Sequence, residues 1–346
     1  MAQSGTPVAG RGPALLRRNP GAGSAVLGYG IALACLVWVF HDVRWADLFG
    51  NLASMNWRWV ALAVALDVAS YLSQGWRWSL LLRSRGRFSP LDAVQAIYSG
   101  LFVNEILPMR VGEVLRGYLA ARRLHAGTAI IVSSMMVERF FDGVWIALAV
   151  GITILMVPLP RYILGAEELL AALVVGAAAL FVYLVLRRKS EPPKDIEIAG
   201  IRGRMRRTLV QLGGGIRDIG RSRHLYASFA VSSLVLIFQI LAFWLIMCGY
   251  GLGLSFWHGA AVLLIGHVGT MVPGAPSNVG TYQFFTVLGL TQFGIDKTLA
   301  GGFSVVVFLI LTIPLWVIGS IAFGRSGMTL QHLRSHVDTS AGDAKY

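Results

Sequence analysis

The sequence predicts an all-α polytopic integral membrane protein with about six full transmembrane helices and two re-entrant helical hairpins in an inverted repeat. Composition is the first reason: the 346 residues are 55% hydrophobic and only 14% charged, against about 25% charged residues in an ordinary soluble domain. The second is that the apolar residues gather in runs near the length that crosses a bilayer. The third is that two shorter runs end at Pro/Gly breaks. This composition excludes a soluble enzyme.

Six apolar runs predict full membrane crossings, and they cover residues 25–40, 57–74, 127–157, 163–186, 225–248 and 299–323. Two shorter runs, 91–107 and 258–273, are rich in glycine or other small residues. Each ends at a proline-containing break that a second helical stretch follows. These segments predict half-helices that turn back within the membrane. Three crossings separate the breaks, so we expect one hairpin to enter from the cytoplasm and the other from outside.

Basic residues set the expected orientation. Residues 75–90 carry four arginines and residues 187–224 carry eleven Lys or Arg, whereas residues 41–56 carry only Arg44. The positive-inside rule therefore predicts that both termini are cytoplasmic and that the chain lies in the cell membrane. The net charge of +13 follows this topology, so no nucleic-acid partner is expected. The predicted organisation is a disordered cytoplasmic N-terminus over 1–24, a transmembrane domain over 25–325 with the basic loop 187–224, and a cytoplasmic tail over 326–346.

The two breaks resemble each other in sequence. Pro108 to Gly112 and Pro276 to Gly280 share the pattern Pro-x-x-Val-Gly, and Pro273 and Gly274 lie just before the second copy. Chance similarity between glycine-rich membrane segments is the alternative. Paired interrupted segments in two halves of a chain are typical of a transporter site near the bilayer midplane. Irregular backbone at that depth lines a cavity or is buried in protein, so a cavity between the hairpins is predicted.

Charged residues cluster around the first break and in the long run 127–157. A charge at the centre of a membrane helix costs about 2.5–3.5 kcal/mol on insertion scales, so these residues need partners or water. We predict that they converge at the cytoplasmic mouth of the cavity, where an arginine holds a lipid phosphate through two hydrogen bonds. The alternative is a long helix that projects into the cytoplasm and leaves the acids at the interface. The six residues are Arg110, Glu113, Arg116, Glu138, Arg139 and Asp142.

Polar residues elsewhere in the apolar runs are weaker candidates. Asp67 is a lone acid in the second run, and it is either a satisfied structural acid or a proton or headgroup site. Asn278 lies in the second break and is added to the expected substrate-binding residues. Gln239 and His267 are expected to form hydrogen bonds between helices.

Motifs for catalysis, nucleotide binding and metal binding are absent from the sequence. We therefore expect no enzymatic activity from this chain, no cofactor and no metal site. The expected partners are membrane lipids, together with a lipid-modifying enzyme or a second copy of the chain.

Three motifs are similar to the lysylphosphatidylglycerol synthase transmembrane (flippase-like) family, and the resemblance covers roughly residues 30–325. They are Ile106–Arg116, Val137–Asp142 and Val272–Gly280. The third departs from the family pattern, Pro-Gly-Gly-x-Gly followed by a hydrophobic residue and Glu. Gln283 stands where that acid is expected, so it joins the expected substrate-binding residues.

The resemblance implies lipid translocation between leaflets without naming the lipid, which in relatives is aminoacylated, polyprenyl-linked or of hopanoid type. Two-domain members add a soluble aminoacyl transferase, and too few residues follow the last run here for one. Two alternatives stay open at this point. One is a non-catalytic membrane partner of a lipid-modifying enzyme, and the other is an integral membrane lipid transferase that uses Glu113 and Glu138.

Overall fold

In the computed structural model, every regular element within residues 20–41, 50–107, 110–157, 161–186, 201–270 and 275–328, the residues that the structure describes, is helical. Each of the eight apolar runs lies on a helix in its described part, as the sequence predicts, and in the run 258–273 the helix ends at Gly269. The α-helices, numbered in chain order, are α1 Pro20–Phe40, α2 Trp57–Leu82, α3 Pro90–Ile106, α4 Val111–Leu124, α5 Thr128–Met156, α6 Arg161–Leu186, α7 Ile201–Gly220, α8 His224–Tyr250, α9 Phe256–Gly269, α10 Thr281–Thr291 and α11 Lys297–Arg325.

Helices α5, α8 and α11 are long and apolar enough to cross a membrane, judged by length and composition. Large apolar side chains stay uncovered on the outside of the bundle: Leu155 is 82% exposed and Trp316 is 47% exposed. Extended apolar surface of this kind is expected where a helix faces lipid rather than water. These features indicate a multi-pass membrane protein.

Helix α2 is longer than the run 57–74 predicts, because it continues to Leu82. Arg77, which the charge count assigns to a cytoplasmic loop, therefore lies inside the helix and is buried. The physical reason is compensation: acidic side chains of α5 pair with Arg77 and remove the cost of burying its charge.

The antiparallel helices α2 and α8 form the centre of the bundle. At one end the backbone N–H of Asn56 donates to the carbonyl of Gly249 at 2.9 Å. At the other end the Ser228 hydroxyl donates to the carbonyl of Arg77 at 3.3 Å. We call the end near Ser228 the basal end and the end near Gly249 the distal end.

Helices α3 and α4 form an antiparallel pair that starts and finishes at the basal end. The ring of Phe88, just before α3, lies 5.5 Å from the ring of Trp78 near the end of α2. Arg123 in the last turn of α4 lies 3.2 Å from Asp92 in the first turn of α3. Close contact is possible because a Cβ on Gly112 would collide with the carbonyl of Gly100.

Helices α9 and α10 form a second antiparallel pair at the distal end. Trp244, in α8, donates its indole N–H to the carbonyl of Leu254 at 3.2 Å, and Gly289 in α10 packs on Val262 in α9. Helix α11 then runs back to the basal end, where the Gln95 amide donates to the carbonyl of Ala322 at 3.4 Å.

The basic segment before α8 contains helix α7, which continues through Gly213–Gly215. Ile216 and Ile219 are buried, and Gly215 packs closely on Ser133 of α5. Helix α7 is therefore packed against the bundle at these positions. The rest of the predicted basic loop, 187–200, lies outside the described residues, as do 1–19 and 329–346 of the predicted termini.

Candidate functional site

A cavity of about 360 Å³ lies between the breaks of the two helix pairs. Helices α2, α3, α4, α5, α8 and α9 and the second break contribute residues to its wall. Its polar lining residues are Tyr71, Gln74, Asn104, Glu105, Arg110, Glu113, Arg116, Arg139, Gln239, His267, Ser277 and Asn278.

The first break turns the chain sharply between α3 and α4. Arg110 has a left-handed backbone (φ 54°) immediately before the first residue of α4. The side-chain oxygen of Asn104 accepts the backbone N–H of Gly112 at 2.7 Å, which satisfies a donor that the start of a helix leaves free. This turn directs one face of α4, with Glu113 and Arg116, toward the cavity.

The second break has the same backbone feature. Ser277 and Asn278 have φ values of 57° and 51°, and Gly280 has a φ of 88°. A Cβ at Gly280 would collide with the backbone of Ala32 in α1, so only glycine fits this position. Pro108, Pro273 and Gly274, which the sequence assigns to the breaks, lie outside the described residues.

The tips of the two helix pairs touch across the cavity. The Ser277 hydroxyl donates to the Glu105 carboxylate at 2.5 Å, and Arg110 donates to the carbonyl of Thr270 at 3.0 Å. Glu105 also accepts the indole N–H of Trp316 in α11 at 3.1 Å. One wall of the cavity therefore borders the apolar outer surface of α11.

Buried Glu138 is the centre of an ion-pair network beside the cavity. Its Oε1 lies 3.1 Å from Nη2 of Arg77 and 3.1 Å from Nη1 of Arg116. The Arg116 guanidinium also stacks over the indole of Trp78 at 4.7 Å, a contact that favours a desolvated cation. Glu138 thus joins α2, α4 and α5.

Two further acids complete the network at the cavity rim. Glu113 accepts a hydrogen bond from Arg139 at 3.0 Å and lies 3.3 Å from Arg116. Asp142 pairs with Arg77, and one of its oxygens lies 3.6 Å from Arg139. Three guanidiniums and three carboxylates balance, which is the condition for keeping such charges away from water. The ion-pair network consists of Arg77, Glu113, Arg116, Glu138, Arg139 and Asp142.

The sequence predicts Arg110 in place of Arg77 as a member of this cluster. Within the part of the chain that the structure describes, Arg110 forms no ion pair, although it does line the cavity. Its left-handed position at the first break points it across to Thr270 of the other helix pair. Arg77 supplies the third positive charge instead, because α2 extends to the level of Glu138.

The other residues that the sequence predicts as site candidates lie at different places relative to the cavity. Asn278, with Gln239 and His267, lines the cavity. Gln283 does not, because it is buried and its side-chain oxygen accepts the backbone N–H of Gly280 at 2.7 Å, which caps α10. Asp67 is buried in α2 behind the cavity wall.

Glu105 was not singled out from the sequence, yet it connects both tips. An acid three residues before Pro108, within an apolar run, is the signal that points to it.

Comparison with known families finds one family whose match covers this site. Residues 25–319 match the Lysylphosphatidylglycerol synthase TM region family. The chain belongs to this family. The match includes both helix pairs, the cavity and the whole ion-pair network, so the site lies inside the Lysylphosphatidylglycerol synthase TM region. A comparison with curated proteins finds no match.

Proposed function

We propose that this chain carries a phosphate-bearing lipid between the two leaflets of the cell membrane, with the lipid headgroup in the cavity. The observation that supports the proposal most is a polar cavity containing three arginines at the join of two broken helix pairs. Membership of the Lysylphosphatidylglycerol synthase TM region family supports it independently. The lipid is of aminoacylated, polyprenyl-linked or hopanoid type.

In this proposal α1, α2, α5, α6, α8 and α11 cross the membrane, and the helix pairs α3–α4 and α9–α10 are re-entrant hairpins. The contacts at the basal and distal ends support opposite entry for the two pairs. Exposed arginines such as Arg85 and Arg122 concentrate at the basal end. The basal end, with both termini, therefore faces the cytoplasm.

The two hairpins form an inverted repeat. Arg110 and Asn278 are both left-handed residues, and each lies two positions before the glycine of its Pro-x-x-Val-Gly motif. Glycines Gly112 and Gly280 each meet backbone atoms of a neighbouring helix. Shared backbone geometry at matching motif positions is what a duplicated unit retains, and it supports a midplane site between the halves.

The arginines bind the phosphate of the headgroup. Arg110, Arg116 and Arg139 all line the cavity, and buried Nε of Arg116 has no hydrogen-bond partner among the described residues. A guanidinium binds phosphate through two parallel hydrogen bonds. A volume of about 360 Å³ suits a headgroup, since small-molecule pockets measure about 300–1,000 Å³. The acyl chains stay in the lipid beside α11.

Transport of this kind needs no covalent chemistry, so the chain acts without a cofactor and is not an enzyme. A lipid-modifying enzyme supplies its substrate or removes its product. The alternative of a non-catalytic scaffold for such an enzyme predicts that the cavity arginines can be changed without loss of translocation. The alternative of a membrane lipid transferase predicts product formation by the purified protein.

The experiment is lipid translocation in reconstituted vesicles. The full chain is incorporated into phosphatidylglycerol vesicles that contain a trace of fluorescent phosphatidylglycerol, and dithionite quenching reports the probe in the outer leaflet. We expect the wild-type protein to move probe from the inner leaflet to the outer leaflet, where dithionite quenches it. Arg110→Lys and Arg116→Lys keep the charge but remove the planar fork, so we expect at least one of them to slow translocation about tenfold.

The matched control is Arg122→Lys, which changes an exposed arginine at the basal end outside the central cavity. It should translocate the probe at the wild-type rate. Correctly folded variants at both cavity positions with wild-type rates would rule out phosphate binding by these arginines. Probe movement no faster than in empty vesicles would count against the translocation proposal for this headgroup.

A further inference from the structure

Asp67 is a buried carboxyl that no part of the proposed headgroup site uses. It is 5% exposed in α2, a 26-residue helix in which it occupies the eleventh position. Its Oδ2 has no hydrogen-bond partner, and it makes no ion pair among the residues that the structure describes. The acids of the ion-pair network, in contrast, are all paired with arginines.

Three tyrosines lie near this carboxyl without a hydrogen bond to it among the described residues. Tyr71 on the same helix, Tyr98 on α3 and Tyr282 on α10 all interact electrostatically with Asp67. The rings of Tyr71 and Tyr98 are 5.2 Å apart, and the buried Tyr98 hydroxyl lacks a hydrogen-bond partner among the described residues. Glu105 is a second acid near these tyrosines, and its charge interacts electrostatically with Tyr71. No basic side chain of α5, α8 or α11 in the described ranges pairs with Asp67.

This environment offers neither protonation state a fixed hydrogen-bond partner for Oδ2 among the described residues. A bare carboxylate is expensive at membrane depth, yet phenol hydroxyls can donate to a carboxylate and also accept from a neutral carboxyl. Tyr71 lies one helical turn after Asp67 and lines the cavity, so one side chain separates the carboxyl from the cavity. We propose that Asp67 binds and releases a proton, and that this proton couples the proton gradient across the membrane to lipid translocation.

The coupling acts through the two hairpins and rests on the proposed transport function. Tyr98 belongs to the first helix pair and Tyr282 to the second. When the carboxyl O–H bond breaks, the proton leaves to cavity water and a carboxylate remains, which attracts the hydroxyls of both pairs. When the carboxylate takes a proton back, that attraction weakens and the pairs can separate. One proton moves and nothing is oxidised or reduced.

The first test detects the proton without any transported lipid. Infrared difference spectra of the full chain in phosphatidylglycerol vesicles are recorded between acidic and alkaline buffer. We expect a protonated-carboxyl band that Asp67→Asn removes. Asp92→Asn, which changes a half-buried acid that pairs with Arg123 at the basal end, should retain it. The proposal is overturned if the wild type lacks the band or if Asp67→Asn keeps it.

The second test applies a pH gradient to the fluorescent phosphatidylglycerol assay. We expect the wild-type rate to change when the gradient is reversed, and Asp67→Asn to lose this dependence. Asp67→Glu should restore it, which separates proton binding from a folding defect. If the wild-type translocation rate does not depend on the pH gradient, the proposed proton coupling is overturned, while the proposed translocation function still stands. Absence of translocation from all variants instead contradicts the proposed function, and the infrared result still decides whether Asp67 binds a proton.

Discussion

Arg77 and Glu138 form an ion pair in which Nη2 lies 3.1 Å from Oε1 and both side chains are 1% exposed. The same carboxylate oxygen binds Arg116, so one acid fixes the relative positions of α2, α4 and α5. Desolvation makes each of these charges costly alone, and the pairing is what makes them tolerable. The contact of these helices beside the cavity therefore depends on a charge balance as well as on the apolar packing around it.

Removing Arg77 should strongly destabilise the protein. Arg77→Met leaves Glu138 with one guanidinium fewer and removes a partner of Asp142. Breaking a buried pair costs about 3–5 kcal/mol, measured as the loss in free energy of unfolding in detergent. Arg85→Met is the matched control, because Arg85 and Asp218 form an exposed pair that contributes about 0–1 kcal/mol. Equal losses in the two variants would contradict a structural role for the buried network.

The helices and their breaks could be predicted from the sequence, whereas the pairing of side chains could not. Apolar runs indicate membrane helices directly, because a segment that crosses the membrane must be apolar along its length. Glu138 and Asp142 could also be predicted as candidate site residues, because charged side chains interrupt an apolar run. Arg77 was missed because its partners are on another helix. The spacing of residues along one helix cannot predict a side-chain contact with another helix.

Gln283, after the second break, is another residue whose contacts could not be predicted from the sequence. A polar residue beside an expected substrate site suggests ligand binding, but the side chain satisfies a backbone donor of its own helix start. Its role depends on the left-handed turn at Asn278 and the glycine that follows. These torsion angles cannot be read from residue types alone.

The contact between the hairpin tips predicts a specific cross-link. With Cys35 and Cys248 changed to serine, cysteines at positions 105 and 277 should be joined by a short bifunctional reagent, because the native side chains are 2.5 Å apart. Translocation should stop on cross-linking if the tips separate during transport. Cysteines at positions 105 and 255 should remain unlinked, since Ser255 immediately precedes α9 at the distal end. Efficient linking of that control pair would contradict the arrangement.

The proposed orientation predicts opposite labelling of the two ends. In intact cells, a membrane-impermeant thiol reagent should modify Ser255→Cys, at the distal end, in the background without native cysteines. Ser326→Cys, just after α11 at the basal end, should react only once the membrane is permeabilised. Labelling of Ser326→Cys in sealed cells would reverse the topology, and detergent-treated cells control for access to both positions.

Two glycines with different surroundings predict opposite effects of a Gly→Ala change: Gly112 lies where α3 and α4 meet closely, and Gly266 lies at an open position of α9. In a helix interior, alanine is about 1 kcal/mol more favourable than glycine, so Gly266→Ala should stabilise the protein by that amount because its new methyl group meets no atom within 4 Å. Gly112→Ala would instead push against the carbonyl of Gly100, and backbone cannot rotate away as a side chain can. Overpacking costs about 1–3 kcal/mol, which should outweigh the helix gain. Thermal unfolding of both variants in one detergent gives the comparison, and a stabilising effect of Gly112→Ala would mean that the two helices are not held this close.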